Sequence, residues 1–224
     1  MTKSTEKPHR ITAQAPVLLI PNVLDIDFCN HLIHVWETEG HQYHGTMVEE
    51  NGQLKEVLDN KQTIQLNHFI QEGETQERLK NLIRNRVSPE IKKAFQFEVT
   101  RFEGFTIFNY EAGVGGYFRP HRDDATEATA YRRFAMTINL NVGEYEGGCL
   151  RFPEFGSELY EPETGCAAVF SASLLHEVTD LIKGRRFALV TFFYGEREVE
   201  LIEEYNRRLR ELKNQSQGEY QLQT

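Results

Sequence analysis

The chain has 224 residues, with 34 acidic side chains against 25 Lys and Arg, a formal net charge of −9 at pH 7 and 39% hydrophobic residues. That length suits one large domain, or one with a helical annex, able to bury about 70% of its unfolded surface without external staples. The acidic balance excludes a phosphate-backbone binder, which needs clustered Lys and Arg, so no nucleic-acid partner is expected; the scattered Cys29, Cys149 and Cys166, with no CxxC pair, exclude a disulfide framework and a zinc knuckle and fit a reducing cytosol.

Residues 1–15 mix charge with small polar side chains and have no apolar period, which predicts a flexible leader outside the fold. The apolar run Val17 to Ile20 stops at Pro21, too short for a signal-peptide core or a membrane span, so a soluble, cytoplasmic protein with no membrane partner is expected. Phe28, Leu32, Ile33 and Trp36 then recur at helical spacing, with Asp25 placed to cap the helix and Gly40 to end it. Residues 45–70 read as extended, Asn51-Gly52 marking a hairpin tip because that pair tolerates the positive φ of such turns. From Thr75 a long helical stretch places Leu79, Leu82, Ile83, Val87, Ile91 and Phe95 on one face; Pro89 is expected to kink it or to begin a new helix capped by Ser88. Residues 16–96 are thus read as helical support and a substrate lip.

From Phe97 the texture changes. Val99–Arg101, Phe105–Tyr110, Ala135–Leu140, Cys149–Phe152, Ala167–Phe170 and Phe187–Tyr194 are short β-rich runs separated by Gly, Pro or Asp clusters. Strands at that spacing predict an antiparallel sandwich or jelly roll over residues 97–195. Residues 198–213 return to a helix set against the sheet edge, and the Gln-rich tail 214–224 is expected to fray. The fold class that follows is α+β with a mainly β core.

The chemistry concentrates in two segments. In Pro120-His121-Arg122-Asp123, His121 and Asp123 fall on the same side of an extended backbone and can reach one ion. His176 follows an apolar strand and a small-residue link, where a neighbouring strand can deliver a third ligand. Two imidazoles and one carboxylate suit Fe(II) and leave an open face for a cosubstrate and O2. Next comes Gly184-Arg185-Arg186-Phe187-Ala188. An arginine buried there needs an anionic partner, and a dicarboxylate would supply one through a bidentate pair; an arginine solvated at a turn is the plainer reading for either residue alone.

The ordered set Tyr110, Gly113, Pro120-His121-x-Asp123, Gly147-Gly148-x-Leu150-x-Phe152, His176-x-Val178-Thr179 and Gly184-x-Arg186-Phe187-Ala188 resembles the prolyl 4-hydroxylase-like branch of the Fe(II)/2-oxoglutarate-dependent dioxygenases over roughly residues 97–194. The resemblance implies a double-stranded β-helix (jelly roll) flanked by N-terminal helices and a C-terminal helix. It makes His121, Asp123 and His176 the iron ligands and Arg186 the residue holding the distal carboxylate of 2-oxoglutarate, with Arg185 as rival because related sequences vary the spacing by one. Tyr110 sits where the family has a tyrosine reaching the cosubstrate. Thr137 and Asn139 share one face of the strand Ala135–Leu140 and are candidates for added hydrogen bonds; many relatives offer a tyrosine on that strand instead. The cofactors implied are Fe(II), 2-oxoglutarate as cosubstrate and ascorbate. The activity implied is hydroxylation of a C–H bond, coupled to conversion of 2-oxoglutarate and O2 to succinate and CO2, on a prolyl residue of a peptide or protein. Alternatives are an amino-acid or small-metabolite hydroxylase, a cupin-type enzyme using no 2-oxoglutarate, and a non-catalytic jelly-roll binding module. The oligomeric state is left open.

Other features have plainer readings. His31, His34, His41 and His44 form a solvated patch near the first helix; Asp124 reads as a turn residue or an acceptor behind the metal; Glu177 should face away from it. Glu111 to Gly116 lacks the order of a phosphate cradle and reads as a flexible rim of the site. The acidic stretch 154–163 reads as a solvated connection, and Phe108, Phe118, Phe170 and Phe192 as apolar walls.

Overall fold

The computed structural model describes residues 14–43, 46–50, 53–57, 59 and 61–222. In chain order the strands are β1 (Leu18–Ile20), β2 (Gln42–Tyr43), β3 (Thr46–Glu50), β4 (Gln53–Val57), β5 (Thr63–Ile64), β6 (Leu66–Phe69), β7 (Arg101–Phe102), β8 (Thr106–Glu111), β9 (Tyr117–His121), β10 (Phe134–Asn139), β11 (Glu146–Gly147), β12 (Leu150–Arg151), β13 (Leu159–Tyr160), β14 (Ala167–Ser171), β15 (His176–Val178), β16 (Leu181–Lys183) and β17 (Arg185–Tyr194). The helices are α1 (Ile26–Glu39), α2 (Glu74–Leu82), α3 (Ser88–Phe95) and α4 (Glu196–Leu222).

Two antiparallel sheets carry the architecture. The larger has eight strands in the order β1-β14-β10-β17-β8-β6-β2, with β7 also on β17; the smaller has five, β13-β12-β15-β9-β5. Residues 63–69 pass from one sheet to the other, since β5 pairs with β9 and β6 with β8. The two sheets make the jelly roll, and α1, α2 and α3 pack on the outer face of the larger sheet.

Strand alternation on β10 separates the two environments. Phe134, Met136 and Ile138 point into the main core, where they meet Leu32 and Trp36 of α1 together with Leu79, Ile83, Val87 and Ile91. Each such side chain contributes roughly 1.5–3 kcal/mol by burial. Ala135 points the other way, into the space between the sheets, where Leu150, Phe152, Ala168 and Phe170 pack. Tyr110, Tyr145, Val178 and Leu181 continue that inner layer. Small residues on the inner face of the larger sheet leave room there that the helix-facing residues do not.

α1 forms as its sequence dictates. The Asp25 side chain accepts from the backbone N–H of Phe28 at 2.7 Å, satisfying an orphan donor of the first turn. Gly40 closes the helix at φ +91°, a conformation that favours glycine. The second helical stretch departs from expectation. α2 and α3 are joined through a π-helical segment, Ile83–Val87, and Ser88 has helical φ and ψ and no capping hydrogen bond. Pro89 lies in the first turn of α3, where its missing N–H leaves no partner unsatisfied. The extra residue of the π turn keeps Ile83, Val87 and Ile91 buried on the side of Leu79.

Other boundaries also move. Ala15, assigned to the leader, is buried among Ala135, Phe152 and Phe170; Gln14 before it is exposed, and residues 1–13 lie outside the described residues. β3 pairs with β4, Glu50 opposite Gln53; the expected tip, Asn51-Gly52, lies outside the described residues. α4 begins two residues earlier than expected and runs through Leu222, across most of the segment read as a frayed tail. No described helix is long and apolar enough to cross a membrane.

Candidate metal centre

His121 ends β9 and His176 opens β15, and the two are register partners across that strand pair. The β pairing itself sets the imidazoles side by side, with ring centroids 4.3 Å apart. Asp123 is not on the strand: it sits in the turn after β9, its N–H bonded to the carbonyl of Ala172 at 2.9 Å. That anchor, rather than alternation along one extended backbone, brings it back towards His121. Asp123 Oδ1 lies 3.5 Å from His121 Nε2, and Oδ2 lies 3.4 Å from His176 Nε2. One donor atom from each of the three residues lies within 4.8 Å of the others.

The ring tautomers follow from the neighbours. His121 Nδ1 is 2.8 Å from the Arg119 carbonyl, and His176 Nδ1 is 2.9 Å from the Leu174 carbonyl. A carbonyl can only accept, so each Nδ1 carries the proton and each Nε2 turns a lone pair towards Asp123 and the shared space. Burial would raise the Asp123 carboxyl pKa, but its interactions with His176 and His121 and the charge of Arg132 outweigh it and hold it below the usual value. Burial drives the His176 pKa down, keeping the imidazole neutral and able to ligate.

The two loops that carry the donors are knit together. Arg122 donates to the Ser173 carbonyl and to Glu154 (2.7 Å), Glu154 accepts from the Leu175 N–H (3.3 Å), and Ser173 Oγ bonds Asp124. Phe118 stacks on the His121 ring at 3.6 Å between centroids, and Phe170 meets the His176 ring edge-on at 4.7 Å. Glu177 pairs with Arg151. Behind Asp123, Arg132 forms a two-pronged pair with Glu103 (2.6 and 3.0 Å), donates to the Asp123 carbonyl (3.3 Å) and lies 3.8 Å over the Phe192 ring. Tyr131 adds a hydrogen bond to Glu103 at 2.8 Å. The sequence reading did not single out Glu103, Tyr131 or Arg132 as members of this site, because none belongs to a short-range pattern.

The two arginines of β17 separate by alternation. Arg185 is exposed and pairs with Glu37 at 2.9 Å. Arg186 is only 3% exposed, opposite Tyr110 in the β8–β17 register. Its Nη2 donates to Asn139 Oδ1 at 2.8 Å, its Nε has no partner, and among the described residues no carboxylate pairs with it. Gly148 makes room for it: at φ +64° a Cβ there would stand 3.0 Å from Arg186 Cδ. Asn139 also donates to the Pro162 carbonyl at 2.9 Å, which fixes its amide and orients its oxygen towards Arg186. Thr137 lies on the same face of β10, half-buried. Tyr110 is 2% exposed; burial raises its pKa, opposed by Arg186 and assisted by Asp123, so its hydroxyl stays protonated between the guanidinium and the donor cluster.

The early histidines lie apart from this cluster. His31 bonds Thr75 at 2.9 Å, His41 stacks on Trp36, and His44 lies outside the described residues.

Two oxygen- or nitrogen-bearing sets therefore share the space between the sheets: three ligating atoms on one side and a buried, carboxylate-free guanidinium on the other. Residues 105–194 match the 2OG-Fe(II) oxygenase superfamily. This segment belongs to that superfamily. No curated protein matches the chain. Among solved structures, the chain resembles a Trichoplax adhaerens prolyl hydroxylase in complex with a hypoxia inducible factor peptide fragment (15% identity, TM-score 0.64, covering 83% of this chain and 86% of that one). A Pseudomonas putida prolyl-4-hydroxylase superposes with TM-score 0.59 at 18% identity, covering 80% of this chain and 92% of the other. A viral collagen prolyl hydroxylase from Paramecium Bursaria Chlorella virus-1, solved with 2OG, gives 0.59 at 16%, covering 82% and 98%. At these identities the likeness is one of fold. The donor set fits Fe(II) by its chemistry, and the unpartnered Nε of Arg186 fits a dicarboxylate, so the residues present suit both cofactors of that superfamily.

Proposed function

We propose that the chain is an Fe(II)/2-oxoglutarate-dependent dioxygenase that hydroxylates a prolyl residue carried on a peptide or protein. The observation that carries this reading is the buried Arg186, with no carboxylate of its own, facing the same interior as the His121, Asp123 and His176 donors. A buried guanidinium left unpaired costs several kcal/mol, so a bound anion is its natural complement.

In this reading His121, Asp123 and His176 hold Fe(II), and Arg186 takes the distal carboxylate of 2-oxoglutarate. Bound iron supplies oxygen activation coupled to conversion of the cosubstrate to succinate and CO2. The chain's own residues bind, orient and exclude. Asn139 aims the guanidinium, Phe118 and Phe170 close the donor rings off from water, and the tethered loops around Arg122 and Glu154 keep the ligands in place. Peptidyl proline as substrate is supported by the solved structures of like fold, one of them with a peptide bound. Ascorbate as a reductant and a reducing, cytoplasmic setting belong to the same proposal, the second supported by three free cysteines.

The test is a library of proline-containing peptides incubated with protein, Fe(II), 2-oxoglutarate and O2, read by mass spectrometry and by succinate release. Gain of one oxygen atom on proline, matched by succinate, is expected. Oxygen gain only on free amino acids, with none on peptides, would overturn the peptide assignment.

A further inference from the structure

We infer that Phe69, seated on Gly104, is a specificity-determining contact that takes an uncharged, apolar side chain of the peptide close to its prolyl residue. This deepens the reading of the chain as a peptidyl-prolyl hydroxylase and rests on it.

The two faces of β17 differ beyond Arg186. Leu189 and Phe193 are buried in the helix-side core, whereas Val190, Phe192 and Tyr194, on the inner face, are half-buried. Register carries the row of Val190 sideways to Thr137 on β10 and to Thr106 on β8, both half-buried, and from Thr106 to Phe69 on β6. The adjacent row holds Phe192, Ala135 and Phe170, and Phe170 lies against the His176 ring. Phe69 therefore ends an apolar strip that begins beneath the donor cluster. It stands two strands from Val190, about 10 Å at ordinary strand spacing. An extended peptide spans that distance in about three residues.

Phe69 is 52% exposed. A single exposed aromatic needs no explanation, but this one has a seat. Gly104 holds no positive φ, so its backbone does not call for glycine. Its missing side chain makes room for the ring: a Cβ there would stand 2.2 Å from Phe69 Cζ and 2.6 Å from Cε2. Glu103, the neighbour of Gly104, grips Arg132, which covers the Phe192 ring at 3.8 Å and donates to the Asp123 carbonyl. The seat of Phe69 and the turn of Asp123 thus belong to one framework.

The charges around the strip decide what kind of side chain suits it. Arg101 pairs with Glu196, Arg122 with Glu154, Arg132 with Glu103, Arg133 with Glu198 and Arg208 with Glu127. These charges neutralise one another pairwise. A charged peptide residue arriving there loses water and finds no free opposite charge among them, whereas an apolar one buries surface against Phe69.

The experiment gives the full chain, with Fe(II), 2-oxoglutarate and O2, synthetic peptides that hold one proline among alanines. Each carries Leu, Glu or Lys at one of the three positions on either side of the proline. Proline oxidation is followed by mass spectrometry as kcat/KM for wild type, Phe69→Ala, Phe69→Tyr and Gly104→Ala. Wild type is expected to prefer Leu over Glu and Lys on the order of tenfold at one of these positions, the scale of an apolar contact made or missed. Phe69→Ala should lose that preference, Phe69→Tyr should keep it, and Gly104→Ala, which displaces the ring, should reduce it. Iron and 2-oxoglutarate affinities, read by anaerobic titration, should be the same in all four proteins. Equal rates with Leu, Glu and Lys in wild type, a preference for a charged residue, or a Leu preference that survives Phe69→Ala would overturn the role of Phe69 and leave peptide hydroxylation standing. Oxidation of none of the peptides by protein that binds iron and 2-oxoglutarate would overturn the peptidyl-prolyl reading, and the role of Phe69 with it.

Discussion

Two arginines flank the donor cluster, Arg186 buried and Arg132 partly buried, and they differ in how their charge is met. Arg132 has its counter-ion inside the protein, gripped by both oxygens of Glu103 and topped by Phe192. Among the described residues Arg186 meets no carboxylate, only the neutral Asn139 oxygen and the neutral tyrosines Tyr110 and Tyr145, and its Nε is idle. The first is a finished structural joint, locking the turn that carries Asp123 to the strands behind it. The second is an unfinished one, whose electrostatics close only when an anion enters. Burial alone therefore does not mark a ligand site; burial without a counter-ion does.

The comparison can be broken by substitution. The largest effect should come from Arg186→Met, which ought to weaken 2-oxoglutarate binding by on the order of 100-fold or more, since a charge-assisted bidentate contact disappears. Iron binding should persist, and the ligand-free protein should be no less stable, because an uncompensated buried charge has gone; isothermal titration and urea unfolding read both. Arg132→Met should do the reverse in the ligand-free state. It strands Glu103, which is expected to destabilise the protein by about 2–3 kcal/mol in urea unfolding, somewhat below the fully buried case because the pair retains some exposure. It should also weaken iron binding by loosening the Asp123 turn. Arg185→Ala is the control: an exposed pair with Glu37 contributes about 0–1 kcal/mol, and 2-oxoglutarate affinity should be unaffected. A large loss of 2-oxoglutarate binding in Arg185→Ala, with none in Arg186→Met, would exchange the roles of the neighbours.

The sequence made some of this legible and hid the rest for physical reasons. α1 was readable end to end, because Asp25, an apolar 3–4 spacing and Gly40 are local signals. β10, β14 and β17 showed as β-rich runs long enough to display a pattern. β9 did not: it is half-exposed, contains Pro120 and follows a glycine-rich turn, so alternation is masked, although it carries His121. The two-residue strands β11 and β13 are too short for any period. In the site, the two histidines and Asp123 stood out by residue type and order, whereas the anchor that positions Asp123 is a backbone bond to Ala172, 49 residues away in sequence and visible only in three dimensions. Alternation said that only one of Arg185 and Arg186 could point inward, and the structure shows Arg186 inward. Asn139 was read as a source of added hydrogen bonds; the partners that fix its amide, Pro162 and Arg186, are distant in sequence.

The most direct test of the central claim is an anaerobic titration of the full chain with Fe(II) and 2-oxoglutarate, following the visible charge-transfer absorbance of the chelate in wild type and in Asp123→Ala. Absorbance that grows to saturation in wild type and is absent in the variant is the predicted result. Wild type that binds iron and develops no absorbance with 2-oxoglutarate would contradict the account.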